Sequence, residues 1–189
     1  MLKSIRFPVA IAFIIAGIAI LGAFLPYVSC CDEYKLEYFD AHGDEKVYES
    51  SDLTFADCRE LSLWDYARLY YQAGEEIFKE KPAGIFYAVL FLLPGAIGIF
   101  CMFWALCKRA TPLILNSIAM GASLWIINWD VVDRGIMPSS DLVWGISHVL
   151  YYPCAVVIFV CGIWLFVGKH RIKKQQKRMK NSMVEHEAA

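Results

Sequence analysis

Apolar residues along this chain gather into four long runs that begin near Phe7, Ala83, Pro112 and Leu142, and none of the runs contains a charged residue. A hydrocarbon core of about 30 Å is crossed by roughly 20 helical residues, because each residue adds about 1.5 Å of rise. The runs therefore predict membrane spans over 7–27, 83–107, 112–129 and 142–168. Between and around them lie a short N-terminal segment (1–6), a large polar segment (28–82), a four-residue turn (108–111), a short loop (130–141) and a basic tail (169–189). The pattern predicts an all-α membrane protein, a four-transmembrane-helix bundle, with a small α+β extracytoplasmic domain between helices 1 and 2.

Each span carries its own local signals. In the first, Ala12 with Ala16 and Ala19 with Ala23 are four apart, the small-residue spacing that lets a second helix approach closely. Pro94-Gly95 in the second span removes a backbone bond and predicts a kink. The third is the most polar, with Asn116, Ser117, Ser123 and Asn128, and Ser117 and Gly121 share a face. The fourth carries His148 and Pro153. Five tryptophans fall near span ends, where amphipathic rings sit at headgroup level. Lys108-Arg109-Ala110-Thr111 is long enough only for an antiparallel hairpin of spans two and three, and Pro138-Ser139-Ser140-Asp141 reads as a turn and cap before span four.

Within 28–82, Tyr34, Leu36 and Tyr38 alternate with Lys35 and Glu37, the period-two signal of a half-exposed strand. A turn at Ala41-His42-Gly43-Asp44 and a return over Lys46–Glu49 complete an expected β-hairpin. The stretch from Leu61 to Gly74 follows as an amphipathic helix, with Ser62 placed to cap toward Asp65.

Charge orients these pieces. The segments on the side of the termini hold eleven basic and two acidic residues, against seven basic and seventeen acidic on the other side. Lys and Arg resist translocation, so both termini are expected in the cytoplasm, with a bacterial plasma membrane as the favoured setting. The tail cations Lys169, Arg171, Lys173, Lys174, Lys177 and Arg178 sit directly after span four and read as a lipid-surface anchor. No stacking platform accompanies them, so nucleic acid is not an expected partner. The N-terminal run exceeds an ordinary signal-peptide core, although Tyr27-Val28-Ser29-Cys30 is similar to a bacterial lipoprotein cleavage box that would lipidate Cys30.

Three cysteines, Cys30, Cys31 and Cys58, fall in the outer segment. A disulfide from Cys30 or Cys31 to Cys58 would close a loop of nearly 30 residues and contribute roughly 3–4 kcal/mol. His148 with Asp130, Asp133 and Asp141 lies near the outer boundary, but one histidine among scattered carboxylates lacks metal-ligand spacing. No catalytic triad, zinc-protease, phosphate-loop or dinucleotide motif is present, so neither an enzyme nor a cofactor is expected.

The cytoplasmic termini, large first outer segment with cysteines, tight inner hairpin and short second outer loop resemble the claudin-like tetraspan plan. Leu61-Ser62-Leu63-Trp64 is similar to the Gly-Leu-Trp part of the claudin signature, although here the cysteines precede Trp64. Leu25-Pro26-Tyr27-Val28-Ser29 and Ser62-Leu63-Trp64-Asp65 also resemble segments of small prokaryotic four-span membrane proteins. Neither resemblance implies an activity. The sequence favours a non-enzymatic accessory or interaction subunit, binding a protein partner or forming a homo-oligomer through Trp64, Tyr66, Tyr70 and Tyr71. The alternative is an oligomeric transporter- or channel-like subunit using the intramembrane polar residues Asn116, Asn128 and His148.

Overall fold

The computed structural model describes residues 3–133 and 141–187. Four long apolar helices form a membrane-spanning bundle: α1 (Lys3–Gly22), α4 (Lys81–Leu106), α5 (Ala110–Asp133) and α6 (Ile146–Glu187). Between α1 and α4 stand strand β1 (Pro26–Cys30), helix α2 (Glu33–Ala41), strand β2 (Glu60–Ser62) and helix α3 (Leu63–Phe78). A short strand β3 (Leu142–Trp144) precedes α6. The expected Pro138-Ser139-Ser140 turn lies outside the described residues.

Lipid tails are as apolar as leucine, so these helices associate by close packing and not by removal of hydrocarbon from water. Accordingly α1 turns its alanines inward and its large side chains out. Ala12, Ala16, Ala19 and Ala23 are all buried, while Phe7, Ile14 and Leu21 face away from the bundle. A Cβ added to Gly98 on α4 would stand 3.4 Å from the Ala16 carbonyl, and one on Gly95 3.3 Å from the Ala23 methyl. α4 runs through Pro94-Gly95 as one helix. At the far end Phe7 meets Trp164 edge to face, so the start of α1 lies beside the point where α6 leaves the bundle. The α4–α5 turn lies at that same end, called here the tail end.

The opposite end is closed by a three-stranded antiparallel sheet in the order β2-β1-β3. Val28 pairs with Leu61 on one side and Trp144 on the other, so the chain leaving α1 is clamped between the entries to α3 and α6. Gly145 permits this, since a Cβ there would fall 2.2 Å from the Pro26 carbonyl oxygen; its amide donates to Tyr27 O at 2.8 Å. Leu142–Trp144, read from sequence as the first residues of span four, are thus sheet edge instead. In the other direction α6 continues unbroken through the basic tail, 42 residues in all.

The segment expected as the first strand of a hairpin is α2. Asp32 caps it by accepting from the Lys35 amide at 2.8 Å. Over five residues the alternation of Tyr34, Leu36 and Tyr38 also contains an i,i+4 pair, and the cap decides in favour of the helix. Lys46 keeps only a single bridge, to Thr54.

The disulfide expectation is corrected as well: none of the seven cysteines is bridged. Cys58 sits in a single 3-10 turn (Asp57–Arg59) with its thiol in the field of Tyr66 on α3. Cys30 ends β1 with its sulfur 3.9 Å from the Asp32 carbonyl. The two side chains serve different neighbours, and two exposed ion pairs cross this segment. Lys35 on α2 meets Asp141 before β3 at 2.6 Å, and Arg59 pairs with Asp40.

Candidate functional site

Helix α3 begins with a complete capping box. The Asp65 amide donates to Ser62 Oγ and the Ser62 amide to Asp65 Oδ2, each at 3.1 Å, and the Ser62 hydroxyl donates to the same carboxylate at 2.6 Å. The Trp64 amide donates to the Ala23 carbonyl at 3.0 Å, fixing the start of α3 at the level where α1 ends. From there α3 climbs along α4 as a tight helical hairpin. Gly74 and Gly84 touch backbone to backbone, and a Cβ on either would lie 2.5 Å from the other's Cα. Lys79 takes the left-handed conformation that closes the hairpin.

This geometry divides the four aromatic residues expected to bind a partner. Tyr66 and Tyr70 are buried against α4: Tyr66 stacks on Phe91 at 5.0 Å, and Tyr70 meets Phe91 at 5.4 Å and Tyr87 at 5.8 Å. Burial pushes the Tyr66 hydroxyl well above the ordinary tyrosine range. These two rings seal α3 onto the bundle. Trp64 and Tyr71, 41% and 68% exposed, instead line an open apolar groove of about 250 Å³ between α3 and α4. Its other walls are Arg68 on α3 and Ile85, Val89 and Leu92 on α4. The groove thus joins a polar helix to a span face that carries exposed Ile85, Phe86 and Val89.

The intramembrane polar residues divide too. The Asn116 side chain donates to the Pro112 carbonyl one turn back at 2.7 Å, and Ser117 and Ser123 bond to their own helix in the same way. Asn128 and His148 do meet, near the sheet end. The Tyr27 hydroxyl donates to Asn128 Oδ1, and Asn128 Nδ2 donates to His148 Nε2 at 3.0 Å and to the Tyr152 hydroxyl. Trp144 stacks on His148 at 4.1 Å, and Tyr27 stands edge-on to both rings. Burial holds the Tyr27 hydroxyl far above its usual range, as a neutral donor. The cluster locks β1, α5, β3 and α6 together. The sequence offers Asn128 and His148; the sheet adds Tyr27 from β1 and Trp144 from β3, and Tyr152 joins from α6 itself, four residues after His148.

Beside this cluster a second apolar groove, about 310 Å³, opens between α5 and α6, with Ser117, Gly121, Tyr152 and Phe159 among its walls. A Cβ at Gly121 would meet nothing within 4 Å. Toward the tail end Leu113, Met120, Leu124 and Ile158 are fully buried between the helices, with Ser117 and Ser123 buried beside them and bonded to their own helix. Asp141 is engaged by Lys35, and no group of three His, Cys, Asp or Glu converges as a ligand set among the described residues.

Lys169, Arg171, Lys173, Lys174, Lys177 and Arg178 lie exposed along the helical tail of α6. Comparison with known protein families, curated proteins and solved structures finds no match to this chain. The claudin-like resemblance therefore stands as one of general four-span topology, without a family identity.

Proposed function

We propose that this chain is a non-enzymatic accessory subunit, with both termini in the cytoplasm, that docks an apolar helix of another membrane protein in the α3–α4 groove. The observation that supports this reading is the division of the aromatics: Trp64 and Tyr71 stay exposed on an apolar groove whose other wall is a membrane span. An occupant of that groove must be apolar along Ile85, Val89 and Leu92 and tolerate Arg68 on the facing α3 wall, as a membrane-crossing helix with a polar edge does. Exposed aromatic anchors beside such a groove are the usual carriers of binding energy.

The second reading, an oligomeric transporter-like subunit, draws on the Asn128–His148 cluster beside the groove that Gly121 opens. The fully buried Leu113, Met120, Leu124 and Ile158 and the self-bonded Asn116 speak against a polar path within one chain. Mild-detergent purification separates the two readings. A stoichiometric foreign membrane protein that is lost on Trp64→Ala or Tyr71→Ala, and retained on Tyr34→Ala, is the expected result. A partner-free oligomer that Gly121→Trp dissociates would overturn it in favour of the second.

A further inference from the structure

At the tail end, a cleft of about 360 Å³ opens between the α4–α5 turn and the point where α6 leaves the bundle. Arg109, Pro112, Phe166, Lys169, His170 and Lys173 line it. Its construction begins with the turn itself. Lys108 adopts the left-handed conformation at φ 54°, its amide donates to the Ala105 carbonyl, and the Arg109 amide reaches back to Trp104. That paired closure ends α4 sharply and sets Arg109 across from α6. On α6, Phe166, Lys169 or His170, and Lys173 follow one another at helical spacing on a single stripe. The stripe changes from apolar to cationic as the helix leaves the membrane.

Two observations indicate what this cleft holds. The first is uncompensated charge. The three ion pairs among the described residues, Lys35–Asp141, Arg59–Asp40 and Arg68–Asp65, all lie toward the sheet end. Arg109, Lys169 and Lys173 converge with no carboxylate among them, and Lys169 and Lys173 stand i,i+4, a repulsive arrangement until an anion intervenes. The second is depth. Arg109 belongs to the turn joining two spans, and Phe166, 55% exposed, carries the wall of the cleft on along the lipid-facing surface of α6. A phosphate among the cations with a hydrocarbon chain against Phe166 satisfies both ends; a small soluble phosphate would leave the apolar wall unused.

We propose that this cleft is a binding site for one anionic phospholipid, its phosphate held by Arg109, Lys169 and Lys173 and an acyl chain lying along Phe166. This is a defined site, distinct from diffuse attraction of the whole tail to a charged leaflet. Basic pockets between membrane helices recognise lipid headgroups in this way, and arginine supplies a planar, two-pronged phosphate contact.

The test uses the full chain, delipidated in mild detergent and titrated with phosphatidylglycerol while bound lipid is counted by native mass spectrometry. Phosphatidylcholine and free glycerol 3-phosphate form the comparison arms. One phosphatidylglycerol per chain is expected, weakened roughly tenfold or more by Lys169→Gln/Lys173→Gln and separately by Arg109→Gln. Lys177→Gln/Arg178→Gln removes the same charge farther along the tail and should change affinity less than about twofold. All these side chains are exposed, and unchanged thermal melts of the variants verify folding. Equal losses from the two double variants would overturn the site in favour of diffuse attraction. Equal affinity for phosphatidylcholine, or for glycerol 3-phosphate, would overturn the anionic-lipid assignment.

Discussion

Cys58 shows how a single residue changes meaning once its surroundings are known. Burial, with Asp57 adding to it, pushes its thiol up to about 11. The folded value lies above the ordinary thiol range, so the neutral form is favoured; this contribution to stability is complete below about pH 8.5 and is lost as pH rises through about 11. Tyr66 and Tyr27, also raised by burial, act in the same direction. Alkylation of the native protein at pH 8 should therefore proceed at Cys58 at least about tenfold more slowly than at exposed Cys31, and accelerate toward pH 11. After denaturation without reductant, all seven cysteines should be modified. A protected pair would contradict the unbridged arrangement. Sequence spacing made a bridge look reasonable because it reports separation along the chain, while the direction of a thiol is set by the turn that carries it.

At the scale of elements, the α3–α4 hairpin makes a sharper claim, because its four aromatic residues separate into sealing and presenting pairs. Tyr66→Ala should cost about 3 kcal/mol or more, measured by denaturation in detergent, since it removes a buried ring stacked on Phe91. Tyr71→Ala should cost less than about 1 kcal/mol, because that ring is 68% exposed, and Trp64→Ala, with its ring 41% exposed beside Phe24, should cost less than Tyr66→Ala. Equal costs would mean that all four merely hold α3 in place. The helices were legible in advance where periodicity or apolar length is long: the four spans, and the capping-box helix begun by Ser62. What stayed hidden was pairing at long range. β2 and β3 have three residues each, too few to show a pattern, and become strands only because β1 lies between them. Helix α2 was read as a strand because five residues cannot separate a period of two from an i,i+4 repeat. Of the aromatic quartet, sequence supplied the residues but not the split, which depends on the Gly74–Gly84 contact setting the rotation of α3.

For the molecule as a whole, the parts form an axis with a different task at each end. The sheet end is acidic, aromatic and tied by ion pairs, with a groove that joins its surface to the lipid-facing side of α4. The tail end gathers cations around a cleft beside the membrane surface. Between them the bundle is held by alanine and glycine contacts and by the buried side chains of Leu113, Met120, Leu124 and Ile158, which fix its two ends relative to each other. The central claim is that the groove beside Tyr71 holds a helix of another membrane protein. It is tested most directly by photo-crosslinking in intact membranes, from benzoylphenylalanine placed at Tyr71 and, as reference, at Tyr34, which is 80% exposed on α2. One discrete adduct is expected from position 71, mapped by mass spectrometry to an apolar, membrane-crossing segment of a different protein. That adduct should be absent from position 34 and abolished when Val89→Trp fills the groove. Only a second copy of this chain, or no adduct at all, at position 71 would contradict it.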